Sequence, residues 1–355
     1  MNRQLIKGNE AIVFGALLGG ATRFFGYPIT PASEIAHGAA RYFTQAGRTF
    51  LQAEDEVNAI NMVYGAAAAG ARVMTATSGP GLSLMAEGIS YIAACELPCV
   101  IVDVQRAGPG LGNIWPEQSD YNAVVKGGGH GNYKNIVLAP ASVQEMCDFA
   151  YRAFDLAEKY RMTVIILSDA YIGQMMEPVV LPKAVKSEVR QPWAIYGDEA
   201  SRGNLITSIL MNTKLLEAHN EKLQEKYATL DEITDYQVIE NDNSDILFVA
   251  FGISARVCLS AVHHLKEKGI QASLMRPITL SPFPGNELAR LAEKIKRIAV
   301  VELNNGMMAE DVERFTCRDA KVYRYNWLGG TVPSARTVAE RVLKDFADEG
   351  VKIND

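Results

Sequence analysis

Short runs of β-branched and aliphatic residues alternate along this chain with longer stretches in which apolar residues recur every three or four positions. The runs "RVMTAT" from Arg72, "CVIVDV" from Cys99, "NIVLA" from Asn135 and "TVIILSD" from Thr163 predict strands. "SVQEMCDFAYRAFDLAEKY", just before the last of them, predicts an amphipathic helix. A second series follows from Asp245. It runs strand "DILFVAFG", helix "ARVCLSAVHHLKEKG", strand "QASLMRPI", helix "NELARLAEKIK" and strand "RIAVVELN". Alternation of this kind predicts an α/β protein with two mostly parallel sheets, each covered by helices on both faces. Between the two series lies a polar, charged region from about Lys183 to Asn243. Its stretch "TKLLEAHNEKLQEKYATLDEITDY" reads as an exposed helix or insertion. The expected division is a first domain over 1–190, a linker or helical insertion over 191–240 and a second domain over 241–355.

Composition narrows the classes of function. The chain has 355 residues, 48% hydrophobic and 21% charged, enough apolar material for two ordinary cores. The formal net charge is −6 and no block of Lys or Arg stands out, so neither nucleic acid nor an anionic membrane is expected as partner. No apolar run approaches the ~20 residues of a membrane span, and "MNRQLIKGNE" is polar, which places the chain in the cytoplasm. The five cysteines, Cys95, Cys99, Cys147, Cys258 and Cys317, include no Cys-x-x-Cys pair. They read as buried free thiols, and no metal or iron–sulfur site is expected from this chain alone.

Ligands of open parallel sheets bind beyond the carboxyl ends of the strands, so the loops there carry the candidate chemistry. In "LQAEDEVNAINMVYGAAAAGARVMTATSGPG", the acids Glu54, Asp55 and Glu56 abut Val57–Ala71, a stretch suited to burial. A carboxylate at the head of a buried helix gains from the helix dipole, but its loss of water requires a hydrogen-bond partner. "FFGYPITPASE" stiffens a loop with Pro28 and Pro31 and presents Thr30, or it is a plain turn into a helix with Ser33 near its cap. "TSGPG", Thr77 to Gly81, brings backbone close to a ligand, or makes a simple strand-to-helix turn. "QRAGPGLGNIWPEQSDY" puts Arg106 just past a strand end, where a guanidinium fork suits a carboxylate. "GPGLGN" and "KGGGHGNY" fit neither dinucleotide nor phosphate-loop spacing. His130, in the second of these, reads as a surface or hydrogen-bonded group ahead of a substrate contact.

The order of these loops is more specific than any one of them. From Glu54 to Arg106 the chain resembles the pyrimidine-binding domain of thiamine-diphosphate enzymes. Within that superfamily "YPITP", "AEDEVNAINMVYGAAAAGARVMTATSGPGLSLMAEGISY", "RAGPGLGN", "QSDY" and "QMMEP" resemble the alpha-type subunit of 2-oxoacid:ferredoxin oxidoreductases, and the second domain resembles the transketolase C-terminal domain. "GPGLGNIWPEQSDY…KGGGHG" is most similar to the branched-chain, 2-oxoisovalerate class, with the 2-oxoglutarate class as rival; Trp115 leaves the substrate's side-chain pocket open.

The resemblance implies oxidative decarboxylation of a 2-oxoacid to acyl-coenzyme A and carbon dioxide, with electrons passed to ferredoxin. It implies that Glu56, in "EVNAINMVYG", exchanges a proton with the aminopyrimidine of thiamine diphosphate, with Glu54 and Asp55 as neighbours or caps. Thr30 and Arg106 would contact the 2-oxoacid, the arginine at its carboxylate, while Pro28, Thr30, Ser78 and Gly79 border the cofactor. The family's diphosphate motif, G-D-G followed further on by Asn, does not occur here: "YGDEA" and "SDAYIG" do not fit. The cofactor is therefore expected to be shared with a diphosphate-binding beta-type subunit. Mg²⁺ and iron–sulfur clusters are expected on partner subunits, including a gamma-type subunit and a ferredoxin-like iron–sulfur subunit. The competing readings are a nucleotide-binding reductase using the glycine loops and a scaffold that kept the fold without the chemistry.

Overall fold

The computed structural model describes residues 3–185 and 190–351. The outer ends of the two expected domains, and the part of the polar region at 186–189, lie outside the described residues.

The first half runs β1 (Arg3–Lys7), α1 (Gly8–Leu18), β2 (Arg23–Gly26), α2 (Ser33–Gln45), β3 (Thr49–Gln52) and α3 (Glu56–Ala68). Next come β4 (Val73–Thr77), α4 (Gly79–Ala94), β5 (Cys99–Gln105), α5 (Tyr121–Val125) and β6 (Ile136–Leu138). It closes with α6 (Val143–Tyr160), β7 (Thr163–Asp169), α7 (Ala170–Gln174) and β8 (Met176–Val180). The second half holds α8 (Thr213–Ala228), β9 (Tyr236–Ile239), β10 (Ile246–Val249), α9 (Gly252–Glu267), β11 (Ala272–Pro277) and β12 (Thr279–Ser281). It ends with α10 (Gly285–Lys294), β13 (Arg297–Glu302), α11 (Met307–Phe315), β14 (Lys321–Asn326) and α12 (Ala335–Asp348).

These strands make a seven-stranded sheet in the order β12-β6-β7-β5-β4-β2-β3, a five-stranded sheet β14-β13-β10-β11-β9, and a small antiparallel pair β1-β8. Each large sheet is parallel except for one edge strand, β12 in the first and β9 in the second. The central strands β4, β5 and β7 are buried along their whole length, as their continuous apolar runs require. Side chains alternate across the first sheet. Val100, Val102 and Val104 of β5 join the cluster that contains Ile12 of α1 and Phe154 of α6, whereas Cys99 and Ile101 join the one with Ile60 of α3 and Met85 of α4.

Two features depart from the sequence reading. Tyr236–Ile239, inside the expected linker, is an edge strand of the second sheet, paired with β11. Thr279–Ser281, inside the expected second domain, crosses to the first sheet and lies against β6; there Ala139 donates its N–H to the Ile278 carbonyl at 2.8 Å and the Ser281 hydroxyl donates to the Asn135 carbonyl at 2.7 Å. The α8 helix is mostly exposed, as expected, yet it is tied down: Lys222 and Lys226 both pair with the buried Glu96 at the end of α4. The two lysines hold the Glu96 carboxyl down at about 2, against the opposing push of its burial. No helix among the described residues is long and apolar enough to cross a membrane.

Candidate functional site

In the first sheet β2 pairs with β3 on one side and with β4 on the other, and the chain then proceeds outward through β5 and β7. The direction of winding therefore reverses at β2/β4, and a crevice opens beyond the carboxyl ends there. The loops delivered to that crevice are Tyr27–Pro31 after β2, the turn Thr77–Gly81 after β4, and Arg106–Asp120 after β5. Glu56, the first residue of α3, arrives after β3.

Of the three acids, Asp55 is the helix cap: its Oδ1 accepts the Asn58 N–H at 2.7 Å. Glu54 is exposed, while Glu56 is turned inward with 5% of its surface exposed. Its carboxylate lies against the glycine turn. A Cβ placed on Gly81 would stand 2.6 Å from Glu56 Oε1 and 2.2 Å from Thr77 Oγ1, so only glycine lets the carboxylate and the turn meet. Beside them the Ser78 hydroxyl is fully buried at the head of α4 and has no hydrogen-bond partner among the described residues.

Across the turn, the Arg106 guanidinium donates from Nη1 to the Thr30 carbonyl at 2.8 Å and from Nη2 to the Leu111 carbonyl at 3.1 Å. Its Nε is buried and has no acceptor. Two carbonyls thus fix the plane of the fork. Arg106, Gly79, Asp120 and Glu117 line a cavity of about 800 Å³ together with Asn304, Asn305 and Met307 from the second half of the chain. Of the sequence-expected residues, Arg106 and Gly79 line this cavity, Thr30 reaches it through the carbonyl that holds Arg106, and Glu56 packs against the turn that contains Ser78. Pro28 stands half-buried two residues before Thr30 in the same loop. Thr30 also borders a second, apolar cavity of about 600 Å³ with Ile114, Trp115, Pro116, Tyr171 and Met175.

The Arg106–Asp120 loop takes its shape from the second half of the chain. Gln118, fully buried, receives the Ser254 hydroxyl at 2.9 Å and the Leu303 N–H at 3.1 Å on Oε1, and donates from Nε2 to the Phe251 carbonyl at 3.0 Å. Its carbonyl accepts Asn304 Nδ2 at 2.8 Å. Glu117 accepts the Gly329 N–H at 2.7 Å on one oxygen, and the Gly108 N–H at 3.0 Å and the Ser119 hydroxyl at 2.9 Å on the other. Gly330, at φ +90°, leaves room for Trp115, which a Cβ there would meet at 2.4 Å.

The remaining candidates fall outside the crevice. His130 is exposed and set edge-on to Tyr91, with ring centroids 6.0 Å apart, and its carbonyl accepts the Ser90 hydroxyl at 2.6 Å. In the same loop Gly129 lies so close to α4 that a Cβ would stand 2.3 Å from the Ala86 carbonyl oxygen, so this glycine serves packing against a helix. Cys95, Cys99, Cys147 and Cys258 are buried free thiols and Cys317 is half-buried; burial pushes the Cys99 and Cys147 thiols up to about 12. Three residues were not among the expected site residues: Asp103, and Gln118 and Asp120, which were read only as part of the motif "QSDY". The signal for Asp103 was present, since it is a lone acid inside the buried run "CVIVDV".

Comparison with known proteins places these observations in context. A family model described as pyruvate flavodoxin/ferredoxin oxidoreductase, thiamine diphosphate-binding, matches residues 14–242, and one described as pyruvate:ferredoxin oxidoreductase core domain II matches residues 244–338. The ketoisovalerate oxidoreductase subunit VorB of Methanothermobacter thermautotrophicus is 53% identical over 351 residues, 98% of this chain and 99% of that protein. The 2-oxoglutarate synthase subunit KorA of Archaeoglobus fulgidus is 41% identical over 330 residues, 92% of this chain and 95% of that one. Among solved structures, 2-oxoglutarate:ferredoxin oxidoreductase from Magnetococcus marinus superposes with a TM-score of 0.88 at 28% identity, over 97% of this chain and 65% of that longer chain. A split gene transketolase, at a TM-score of 0.62 and 14% identity, shares the fold.

Proposed function

This chain belongs to the thiamine-diphosphate-dependent 2-oxoacid:ferredoxin oxidoreductase family, and from that premise we propose that it is the pyrimidine-binding, alpha-type subunit of a branched-chain enzyme. Its reaction converts a 2-oxoacid such as 3-methyl-2-oxobutanoate to acyl-coenzyme A and carbon dioxide, with electrons passed to ferredoxin. The observation that carries the reading is that Arg106 and Gly79 line one cavity, with the Arg106 guanidinium held on the Thr30 carbonyl and Glu56 packed against Gly81 of the same glycine turn.

The residues fit the cofactor. Gly81 makes a cradle that a Cβ would fill, and the Ser78 hydroxyl is a buried polar atom awaiting a partner. Glu56, Pro28, Thr30, Ser78 and Gly79 would border it. Thiamine diphosphate, when bound, supplies the electron sink that lets a 2-oxoacid lose carbon dioxide. Glu56 holds a proton against the ring nitrogen and exchanges it there. Arg106, its plane fixed by two carbonyls, orients the substrate carboxylate. For that role lysine is no substitute, because it lacks the planar fork. Arg106→Lys should lower kcat/KM for every 2-oxoacid by ~10–10², the loss of a charge-assisted hydrogen bond of about 1.5–3 kcal/mol. A defect confined to bulky substrates would place Arg106 in the side-chain pocket instead.

The choice of a branched-chain substrate rests on the second cavity. Its described lining residues, among them Ile114, Trp115 and Met175, include no Lys or Arg, so an isopropyl group finds apolar walls and a second carboxylate finds no cation. The higher identity to ketoisovalerate subunits than to the 2-oxoglutarate subunit points the same way. In the assembled enzyme kcat/KM for 3-methyl-2-oxobutanoate should exceed that for 2-oxoglutarate by ~10² or more, since an unpaired buried charge costs about 3–5 kcal/mol. Equal or better use of 2-oxoglutarate would assign the chain to the rival class.

The same reading gives the chain partners. A diphosphate-binding beta-type subunit would hold Mg²⁺ and the rest of the cofactor, and gamma-type and ferredoxin-like subunits would carry iron–sulfur clusters. Subunit status in both kinds of relative supports this. We assign the assembly to the cytoplasm, and the chain to a pyrimidine-binding first domain, a helical linker and a transketolase C-terminal-like domain.

A further inference from the structure

Asp103 stands on β5 between Thr77 of β4 and Leu167 of β7, on the α3/α4 side of the sheet. It is fully buried, and neither carboxylate oxygen receives a hydrogen bond from a donor among the described residues. Asp120 is returned to the same strand by the Arg106 loop and anchored by its N–H to Oε1 of Gln105, two residues beyond Asp103, at 3.1 Å. Asp120 is the charged neighbour that acts on Asp103, and its Oδ2 is likewise buried without a partner among the described residues. The other face of Asp120 lines the cavity: a Cβ on Gly79 would stand 3.2 Å and 3.3 Å from its two oxygens.

Two carboxylates in contact away from water cannot both be ionised, and a carboxylic acid donating to its neighbour supplies the hydrogen bond both lack. We propose that Asp103 and Asp120 share one proton beneath the cavity, and that this carboxyl–carboxylate pair is a positioning element of the site, joining the glycine turn to the Arg106 loop. Burial drives Asp103 well above the usual carboxylate range and raises Asp120 as well, with Glu117 adding to the rise in Asp120 and Arg106 opposing it. The protons belong to the pair and not to either residue. The charged groups acting on the pair are Arg106 and Glu117 from the loop, while Glu56 packs against Gly81 in the glycine turn; Asn304, Asn305 and Met307 from the second half of the chain line the cavity.

The site thus holds one guanidinium against several acids. A substrate carboxylate that docks on Arg106 adds a further negative charge beside Asp120, so its binding is favoured while the pair keeps its proton. This step rests on the assignment of the cavity to a 2-oxoacid. The shared proton does not.

The test has two readouts. The full chain, labelled with carbon-13 at aspartate carboxyl groups, is titrated by infrared spectroscopy. Wild type should keep a protonated aspartate C=O band at neutral pH. Asp103→Asn should abolish it, because the amide donates to the Asp120 carboxylate and the proton is no longer needed; Asp120→Asn should do the same from the other side and serves if the first variant does not fold. Absence of the band from wild type, or its persistence in both variants, overturns the proposal. In the assembled enzyme, KM for the 2-oxoacid should rise about tenfold per pH unit above the upper pKa of the pair, with kcat unchanged, and should lose that dependence in Asp103→Asn. A flat wild-type profile overturns the positioning role. A band without binding of any 2-oxoacid would uphold the shared proton and fault the assignment of the reaction.

Discussion

Glu56→Gln should slow exchange of the cofactor's thiazolium C2 hydrogen for deuterium by ~10²–10⁴ in the assembled complex, the usual worth of a positioned proton-transfer group. Glutamine matches glutamate in size and retains hydrogen-bonding capacity, so the contact with Gly81 and the Asp55-capped start of α3 survive and the variant should fold and assemble. What it loses is a proton to exchange. Quenched NMR of the exchange reads this step before decarboxylation. Glu54→Gln is the control, since Glu54 is exposed one residue outside the capping Asp55. Normal exchange in the Glu56 variant, or an equal defect at Glu54, would reduce Glu56 to a helix-terminal charge.

The second large effect concerns assembly. Alone, the purified chain should bind thiamine diphosphate and Mg²⁺ weakly and oxidise no 2-oxoacid. Activity should appear on mixing with a partner that carries the G-D-G motif and a cysteine-rich partner. Because the pyrimidine side of one subunit must face the diphosphate side of the other, paired copies of the active heterodimer are expected, visible as an even stoichiometry by native mass spectrometry. Full activity from this polypeptide by itself would end the proposal of a divided site.

How far the sequence foretold this arrangement depended on the length of the signal. The strands β4, β5 and β7 were legible because each is a sustained apolar run buried on both faces, and α6 because its periodicity extends over five turns of helix. β2 and β3, only Arg23–Gly26 and Thr49–Gln52, alternate or face outward and give no comparable run. Of the crevice, the glycine turn and the acids at α3 could be read because glycine and charge are unusual beside apolar residues. Gln118 could not: an uncharged amide in a loop carries no local mark, and its role comes entirely from Ser254, Phe251 and Leu303, which lie far along the chain. Asp103 announced itself only as an acid out of place, and its partner is brought to it by a loop whose path the second half of the chain sets.

The strand Thr279–Ser281 has a consequence for biosynthesis. The ribosome completes α7 and β8 long before it reaches this segment, so during elongation the β6 edge of the first sheet has no neighbour. An open edge is a template for pairing with other chains. Nascent molecules arrested between residues 180 and 278 should therefore be the aggregation-prone species, and release from that hazard comes only when the second half emerges and lays its strand across the gap.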